Sequence, residues 1–327
     1  MIARETGDTR EATWALANLG CAALGQGDLD HAQEELETAL EAARQHGYKQ
    51  YAAASLVDLG RVAQVRSDIK MAAERYQEAL ALFREIGDET QISRTLQNLG
   101  AIAVAEGEYE RATLLFQESL ACFQEIGDKR SIAGALNNLA EVARHQGNYA
   151  DAENLYVESQ QLADDVGDKL LTAIAIENRA EVARSGGDSR TASALYKQAL
   201  SVYRVLPDWE GIVACLRGLA HIALDNGQSE QAVRLFGASA AFGYDHGPQP
   251  GSALEGDDPA FSSLVGVRSS LGQDIFETLW EEAGRMSLEE ASREADLLQI
   301  SQSWYPPGPE QAVHASAPTE SMSKFSS

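Results

Sequence analysis

The sequence predicts an all-α protein: an α-solenoid of six helix-turn-helix units with C-terminal capping helices. Three observations predict this class: a pattern that repeats every 40 residues, glycines that divide each repeat into two halves, and apolar residues at fixed positions within each half. Repeats of this length are typical of supersecondary units that stack on their neighbours. Because such arrays present extended surfaces, the repeat favours binding over catalysis.

Glycines mark the ends of the predicted helices. Glycine tolerates the left-handed conformation that ends a helix, and the Asp or Asn that often follows it can cap the next helix. The first glycine column consists of Gly7, Gly47, Gly87, Gly127, Gly167 and Gly247, with Pro207 in the sixth place. The second column consists of Gly27, Gly107, Gly147, Gly187 and Gly227, with Ser67 as the exception. Apolar residues three and four positions apart between these glycines predict two amphipathic helices per repeat.

Three further columns predict how the helices pack. Two are small, and their members are Ala23, Ala63, Ala103, Ala143, Ala183 and Ala223, then Ala32, Ala72, Ala112, Ala152, Ala192 and Ala232. The bulky column is Leu36, Tyr76, Phe116, Tyr156, Tyr196 and Phe236. Small residues facing large ones produce interdigitated layers, so these columns predict the contacts between helices.

These columns resemble the tetratricopeptide repeat, or TPR. The resemblance is carried by Leu-Gly or Leu-Ala in the first helix (Leu59-Gly60, for example), by Ala three positions on, and by Ala and Tyr or Phe in the second helix. The usual TPR period is about 34 residues. The longer period is similar to that of kinesin light chains and of large bacterial ATP-dependent regulators of the LuxR and SARP type. The pattern departs from the family at Arg179, which replaces the leucine, and at Pro207.

The pattern divides the chain into three predicted segments. The TPR array spans 1–247, with repeats that start at about residues 7, 47, 87, 127, 167 and 207. A helical cap spans 248–302 and contains three short amphipathic helices, with Val265 among the apolar residues of the first, Ile275 among those of the second, and a Ser287–Glu290 capping box opening the third. Together the stretches 234–242, 271–276 and 286–291 resemble the closing segment of the LuxR- and SARP-type ATPases. Residues 303–327 are predicted to be disordered, since they are rich in Pro, Ser and Ala. The first eight residues align with the end of a second helix, so we expect either a continuation of a longer array or a frayed N-terminus.

Composition restricts the class of partner. The chain has 50 acidic and 26 basic residues and a net charge of −24. Such a surface repels phosphate backbones and anionic lipids, so we expect neither nucleic acid nor membrane as a direct partner; the same charge also favours solubility. Three widely spaced cysteines, no signal peptide and no long apolar run indicate a cytoplasmic protein.

Sequence motifs of catalysis and metal binding are missing. The chain has no phosphate-binding loop, no His-Glu-x-x-His, no paired Cys-x-x-Cys and no Gly-x-Ser-x-Gly. The six histidines show no ligand spacing. We therefore expect no enzyme activity, no metal and no cofactor.

The candidate site is the face that the first helix of each repeat presents. The resemblance implies that these helices line the concave side of the array. One column there reads Asn18, Asp58, Asn98, Asn138, Asn178 and Gly218. An amide offers two donors and an acceptor, which suits pairing with an extended peptide backbone, and an asparagine ladder has this role in similar TPRs. The alternative is local hydrogen bonding on the helix surface.

Charged residues complete the predicted partner-binding face. They are Arg61, Arg94, Arg144, Arg184, Arg217, Glu141, Glu181 and His145. The cations could form charge-assisted hydrogen bonds with carboxylates of a partner. They could equally pair with Glu141 and Glu181 across adjacent helices.

Two functional hypotheses follow. The first is a non-catalytic protein-interaction module that binds a peptide or partner domain in the concave face. The alternative is the sensor or autoregulatory region of a signal-transduction ATPase that controls transcription, with the nucleotide- and DNA-binding parts absent from this chain. In the second case we expect exposed apolar surface around Trp14 and self-association through the uncapped N-terminal end.

Overall fold

The computed structural model describes residues 9–206, 208–243 and 264–300, which contain fifteen α-helices and no β-strand. The chain forms two compact units. The first contains residues 1–182 and 201–207, and the second contains residues 183–200 and 208–327. The first eight residues, Pro207, the linker after the array and the predicted disordered tail lie outside the described residues.

The first unit is a series of helical hairpins. Its helices are α1 (Thr9–Gly25), α2 (Leu29–His46), α3 (Lys49–Val65), α4 (Ile69–Ile86), α5 (Glu89–Ala105), α6 (Tyr109–Ile126), α7 (Lys129–His145), α8 (Tyr149–Val166) and most of α9 (Lys169–Ser185). The odd-numbered helix of each hairpin is the first helix of a repeat and the even-numbered helix is the second.

Turn chemistry sets the helix ends as predicted. The glycine that follows each of α2, α4, α6 and α8 has a φ between 71° and 77°, in the left-handed region. The Asp88 carboxylate accepts a hydrogen bond from the Gln91 backbone N–H at 3.1 Å and thereby caps α5. Ser67 has a φ of 61° and is the only non-glycine residue with positive φ among the described residues. The exception in the glycine column thus adopts the conformation of a glycine.

The predicted packing columns contribute most of their members to the core, with Ala183 of the first small column half-buried instead. The Ala32 column is fully buried in all six repeats, and the bulky column is at most 2% exposed. The rings of Tyr76 and Phe116 lie directly against Gly60 and Gly100 of the preceding helix. Glycine at these positions therefore brings the two helices of one repeat into close contact.

Exposed ion pairs connect helices both within a repeat and between repeats. Within the second repeat Lys49 lies 2.9 Å from Glu85, and within the fourth repeat Lys129 lies 3.0 Å from Asp165. Arg84 lies 2.6 Å from Glu118 in the next repeat. All of these side chains are solvent-exposed, so each pair contributes little by itself.

The second unit contains the rest of the chain. After most of α10 (Ser189–Tyr203) come α11 (Trp209–Asp225), α12 (Ser229–Gly243), α13 (Leu264–Leu271), α14 (Gln273–Ala283) and α15 (Leu288–Asp296). The three short helices are those that the sequence predicts after the array, and α15 opens with the Ser287–Glu290 capping box. They pack on α12, where the Gln231 side chain donates to the Glu294 carbonyl at 2.8 Å. Val265 and Ile275, expected on the apolar faces of α13 and α14, are exposed.

The predicted fold class is confirmed: helices in consecutive packed pairs, followed by helices that cover the last pair. The segment boundaries at 248 and 303 lie at the edges of undescribed stretches, and they stay predictions.

Candidate partner-binding face

The first helices of the repeats present polar residues on the side that the core does not use. In α5, Leu96, Leu99 and Ala103 are buried, so Asn98 and Arg94 lie on the remaining surface. We call this surface, with its equivalents in the other hairpins of the first unit, the asparagine face. Its column consists of Asn18, Asp58, Asn98, Asn138 and Asn178.

The asparagines of this face differ in their hydrogen bonds. Asn18 is exposed and donates to the Trp14 carbonyl one turn earlier at 2.8 Å. The Asn178 Nδ2 donates to the Asn137 Oδ1 of the preceding repeat at 3.0 Å. The side chains of Asn98 and Asn138 are half-buried, and neither hydrogen-bonds to another described residue. Asn18 thus bonds within its own helix and Asn178 bonds to the preceding repeat, whereas the amides of Asn98 and Asn138 have no hydrogen-bond partner among the described residues.

Asp58 replaces asparagine in the second repeat and pairs with a cation. Its carboxylate lies 3.1 Å from Arg61 one turn later. Burial raises the pKa of the Asp58 carboxyl, and the hydrogen bond and charge of Arg61 oppose this shift. Arg61 is thus engaged within its own helix.

Arg94 and Gly134 lie beside the open amides. Arg94 is exposed and forms no hydrogen bond or ion pair with another residue in the described part of the chain. Gly134 occupies the same position one repeat later, and a Cβ added there would have no heavy atom within 4 Å. The third and fourth repeats therefore combine an exposed guanidinium, two amides without a hydrogen-bond partner and one helical glycine with open space where a side chain would be.

Glu141 lies at the centre of a hydrogen-bonded cluster in the fourth repeat. Arg144 donates to its two carboxylate oxygens at 3.0 and 2.5 Å, and the Tyr156 hydroxyl donates at 2.8 Å. His145 lies 3.0 Å from the same carboxylate, and its ring stacks on Tyr109 with centroids 5.5 Å apart.

These contacts shift the pKa values of Glu141 and Tyr156 in opposite directions. Burial alone would raise the pKa of the Glu141 carboxyl, but the hydrogen bonds and charge of Arg144 outweigh it and hold that pKa below its usual value. Burial and the Glu141 charge raise the pKa of the Tyr156 hydroxyl. Arg144 is thus occupied by its own helix in this structure, so its predicted contact with a partner stays a prediction.

The remaining predicted site residues are less accessible. Glu181, Arg184 and Arg217 are half-buried, and each interacts with other groups of the protein. Arg184 and Arg217 belong to the second compact unit. Sequence reasoning missed Asn137, Gly134 and Tyr109. Asn137 could have been found from its place beside the column, and Gly134 from its occurrence inside a helix, where glycine costs about 1 kcal/mol relative to alanine.

The described residues contain neither a candidate metal site nor a candidate membrane-spanning helix. No group of three or more His, Cys, Asp or Glu side chains is placed to hold a metal ion in that part of the chain. None of the helices described is both long and apolar enough to cross a membrane.

Sequence comparison identifies the repeat. Family models of the tetratricopeptide repeat match residues 51–125, 131–205 and 15–46. The chain belongs to the tetratricopeptide repeat family. No curated protein matches the sequence. The TPR assignment agrees with the glycine and alanine columns, which fall at the helix ends and helix contacts of each hairpin.

Several solved structures are similar in fold. The apo form of RapI has a TM-score of 0.60 at 16% identity, over 87% of this chain and 98% of that chain. A Rap protein complexed with competence and sporulation factor has a TM-score of 0.57 at 13% identity, over 87% and 99%. A signal transduction ATPase with numerous domains from Pyrococcus horikoshii, which has a TPR sensor, has a TM-score of 0.56 at 15% identity, over 85% of this chain and 39% of that one. At these identities the similarity shows the fold alone.

Proposed function

We propose that this protein is a non-catalytic interaction module whose asparagine face binds an extended peptide or an extended segment of a partner protein. The observation that carries the proposal is the pair Asn98 and Asn138, one repeat apart, whose half-buried amides have no partner among the described residues. Each amide supplies donors and an acceptor that match the N–H and C=O of a peptide backbone. Backbone pairing of this kind gives affinity, while neighbouring side chains give specificity.

The charged residues beside Asn98 and Asn138 indicate which side chains the partner would carry. Arg94 is available for a carboxylate, to which a guanidinium can donate two parallel hydrogen bonds. Arg144 is held by Glu141, so it acts in this proposal as part of a fixed polar surface. In the first unit the proposed binding residues are Asn18, Asn98, Asn138, Asn178, Arg61, Arg94, Arg144, Glu141, Glu181 and His145. Arg184 and Arg217 belong to the second unit, and their predicted contacts stay predictions separate from this face. A reducing cytoplasm suits this role, since Cys21 is an exposed free thiol.

The experiment compares what two immobilised variants retain. Asn98→Ala with Asn138→Ala removes both available amides, whereas Asn154→Ala removes an exposed amide from the second helix of a repeat. Each variant is used to capture partners from an extract of the source cells, and bound proteins and peptides are quantified by mass spectrometry. We expect a specific partner to be retained by wild type and by Asn154→Ala and to be reduced at least about 10-fold by the double variant. Equal retention by both variants would place the binding site elsewhere.

A second candidate function has its own support. Trp14 is 57% exposed and Leu19 is 53% exposed, whereas Leu59 and Leu99, equivalent to Leu19, are 6% and 3% exposed. An uncovered apolar helix face favours a further contact there, and the similarity to an ATPase with a TPR sensor is compatible with a sensor or autoregulatory region of such a protein. An immunoblot of native cells with an antibody against the repeats distinguishes the two. A band near 35.2 kDa supports the interaction module, and a much larger band supports the regulatory region.

A further inference from the structure

The second helix of the fifth repeat ends early. Helix α10 has 15 residues, whereas α2, α4, α6 and α8 have 18 each, and residues 204–206 form a turn instead. Pro207 follows this turn in the sequence. Proline lacks the backbone N–H and disfavours helical geometry at the residue before it, so helix cannot continue through Leu206 as it does in the other repeats.

An ion pair between the two helices of a repeat is lost at the same place. Lys49 and Lys129 pair with the acids Glu85 and Asp165. Lys169 is the equivalent lysine in the fifth repeat, but Val205 occupies the position of the acid and is 74% exposed. In the described part of the chain, Lys169 forms no ion pair and no side-chain hydrogen bond. A cation and an exposed aliphatic side chain thus replace a neutralised pair.

A pocket of about 440 Å³ opens between these groups. Its volume falls within the range of small-ligand sites. Its apolar lining consists of Val202, Val205 and Leu206, and its polar lining includes Lys169 and Thr172, with Asp164, Gly167 and Ser201 completing the pocket. The Asp164 carboxylate accepts a hydrogen bond from the Thr172 hydroxyl at 2.7 Å, so this acid is engaged while the ammonium is not.

We propose that this pocket, formed by the end of α10 and the start of α9, binds the C-terminal residue of a partner polypeptide when that residue is aliphatic. The aliphatic side chain lies against Val202, Val205 and Leu206, and the terminal carboxylate contacts Lys169. A carboxylate is the charge complement of the one cation in the pocket wall. Within a polypeptide, an aliphatic side chain and a carboxylate are attached to the same Cα only at the C-terminus. The site shares no residue with the asparagine face, so either proposal can fail without the other.

The experiment uses three small probes on the full-length protein. N-acetyl-L-leucine carries both groups, N-acetyl-L-leucinamide lacks the carboxylate, and N-acetylglycine lacks the side chain. Each is titrated into ¹⁵N-labelled protein, and amide shifts are followed by two-dimensional NMR. We expect saturable shifts of Gly167, Thr172 and Val205 with N-acetyl-L-leucine at a Kd of about 1–10 mM. Its amide should bind about 2–5-fold more weakly, and N-acetylglycine should not saturate.

Three variants make the result decisive. Lys169→Ala should remove the preference for the carboxylate probe, and Val205→Glu, which restores the acid of the other repeats, should abolish the shifts. Val65→Glu changes another exposed valine, 63% exposed and remote in sequence, and should leave them unchanged. Circular dichroism confirms that each variant is folded. The proposal is overturned if wild type shows no saturable shift, if N-acetylglycine binds equally well, or if Val205→Glu binds like wild type.

Discussion

A Cβ placed on Gly60 would lie 2.6 Å from Cε1 of Tyr76, closer than carbon atoms approach in folded proteins. The same relationship holds between Gly100 and the Phe116 ring. The two helices of a repeat thus meet where the first helix has a glycine and the second has a bulky aromatic side chain. In the fourth repeat Ala140 takes the glycine position opposite Tyr156, so the pair can adjust to a methyl group at some cost.

Gly60→Ala should therefore destabilise the protein. The added methyl group has to move a fully buried ring, which costs about 1–3 kcal/mol, partly offset by the better helix propensity of alanine, worth about 1 kcal/mol. Gly134→Ala is the matched control, because its Cβ meets nothing within 4 Å and only the propensity gain remains. Thermal denaturation should show a lower Tm for the first variant and a higher Tm for the second. Two variants shifted in the same direction would contradict the close contact.

Ser67→Gly should stabilise the protein. Ser67 is held at a φ of 61°, a conformation that costs a residue with a side chain about 1–2 kcal/mol. Glycine removes this strain but increases the entropy of the unfolded chain, so the expected net gain is about 0.5–1 kcal/mol. The reverse change in the next repeat, Gly107→Ser, should lose a similar amount, since Gly107 has a φ of 75°. Urea denaturation of both variants measures the two changes, and a stabilising Gly107→Ser would refute the explanation.

Much of this fold could be predicted because the same position performs the same physical task in every repeat. Ala32 and Leu36 are fully buried, and the equivalent residues of the other five repeats are buried too. A column that is correctly predicted to be buried in one repeat is therefore correctly predicted in all six. Helix ends are equally local, since a glycine and an acidic cap within a few residues determine them.

The candidate face was harder to predict because its residues have competing partners at similar distances in sequence. The pattern left open whether Arg144 meets a partner or an acid of an adjacent helix. In the structure it contacts Glu141 of its own helix, three residues away. The sequence also marks Pro207 as a departure from the pattern, yet the exposure of Val205 depends on how far the helix unwinds before that proline, which no single residue specifies.

Glu141 should make stability depend on pH. Its pKa is lower in the folded protein than in the unfolded chain, so the unfolded state takes up the proton more readily. The contribution is therefore fully present above the ordinary glutamate pKa of about 4.3 and is lost as the pH falls through the folded-state value. Glu141→Gln should cost about 1–3 kcal/mol at pH 7.

The pH dependence of this cost is the decisive measurement. The difference in urea-unfolding free energy between wild type and Glu141→Gln should shrink as the pH is lowered from 5 to 3. Glu125→Gln, at an exposed glutamate outside the cluster, should show a small difference throughout. A cost for Glu141→Gln that stays constant across this range would mean that shape, and not charge, holds the cluster together.

The third repeat lacks the ion pair that its neighbours have, and one substitution should restore it. Glu89 is equivalent to Lys49 and Lys129, and Glu125 is equivalent to Glu85 and Asp165. The third repeat therefore has two acidic residues where its neighbours have a lysine and an acid. Glu89→Lys should stabilise the protein by about 0.2–1 kcal/mol relative to a control with the same change in net charge.

Glu110→Lys is that control, because Glu110 also lies in the first turn of its helix and loses the same favourable interaction with the helix dipole. The difference in stability between the two variants isolates the new pair with Glu125. It should be largest at low ionic strength and nearly vanish at 1 M NaCl, where the screening length is about 3 Å. A difference that persists in high salt would show that the lysine acts through packing of its aliphatic chain, and the periodic ion pairs would then be a consequence of repeat geometry and not a source of stability.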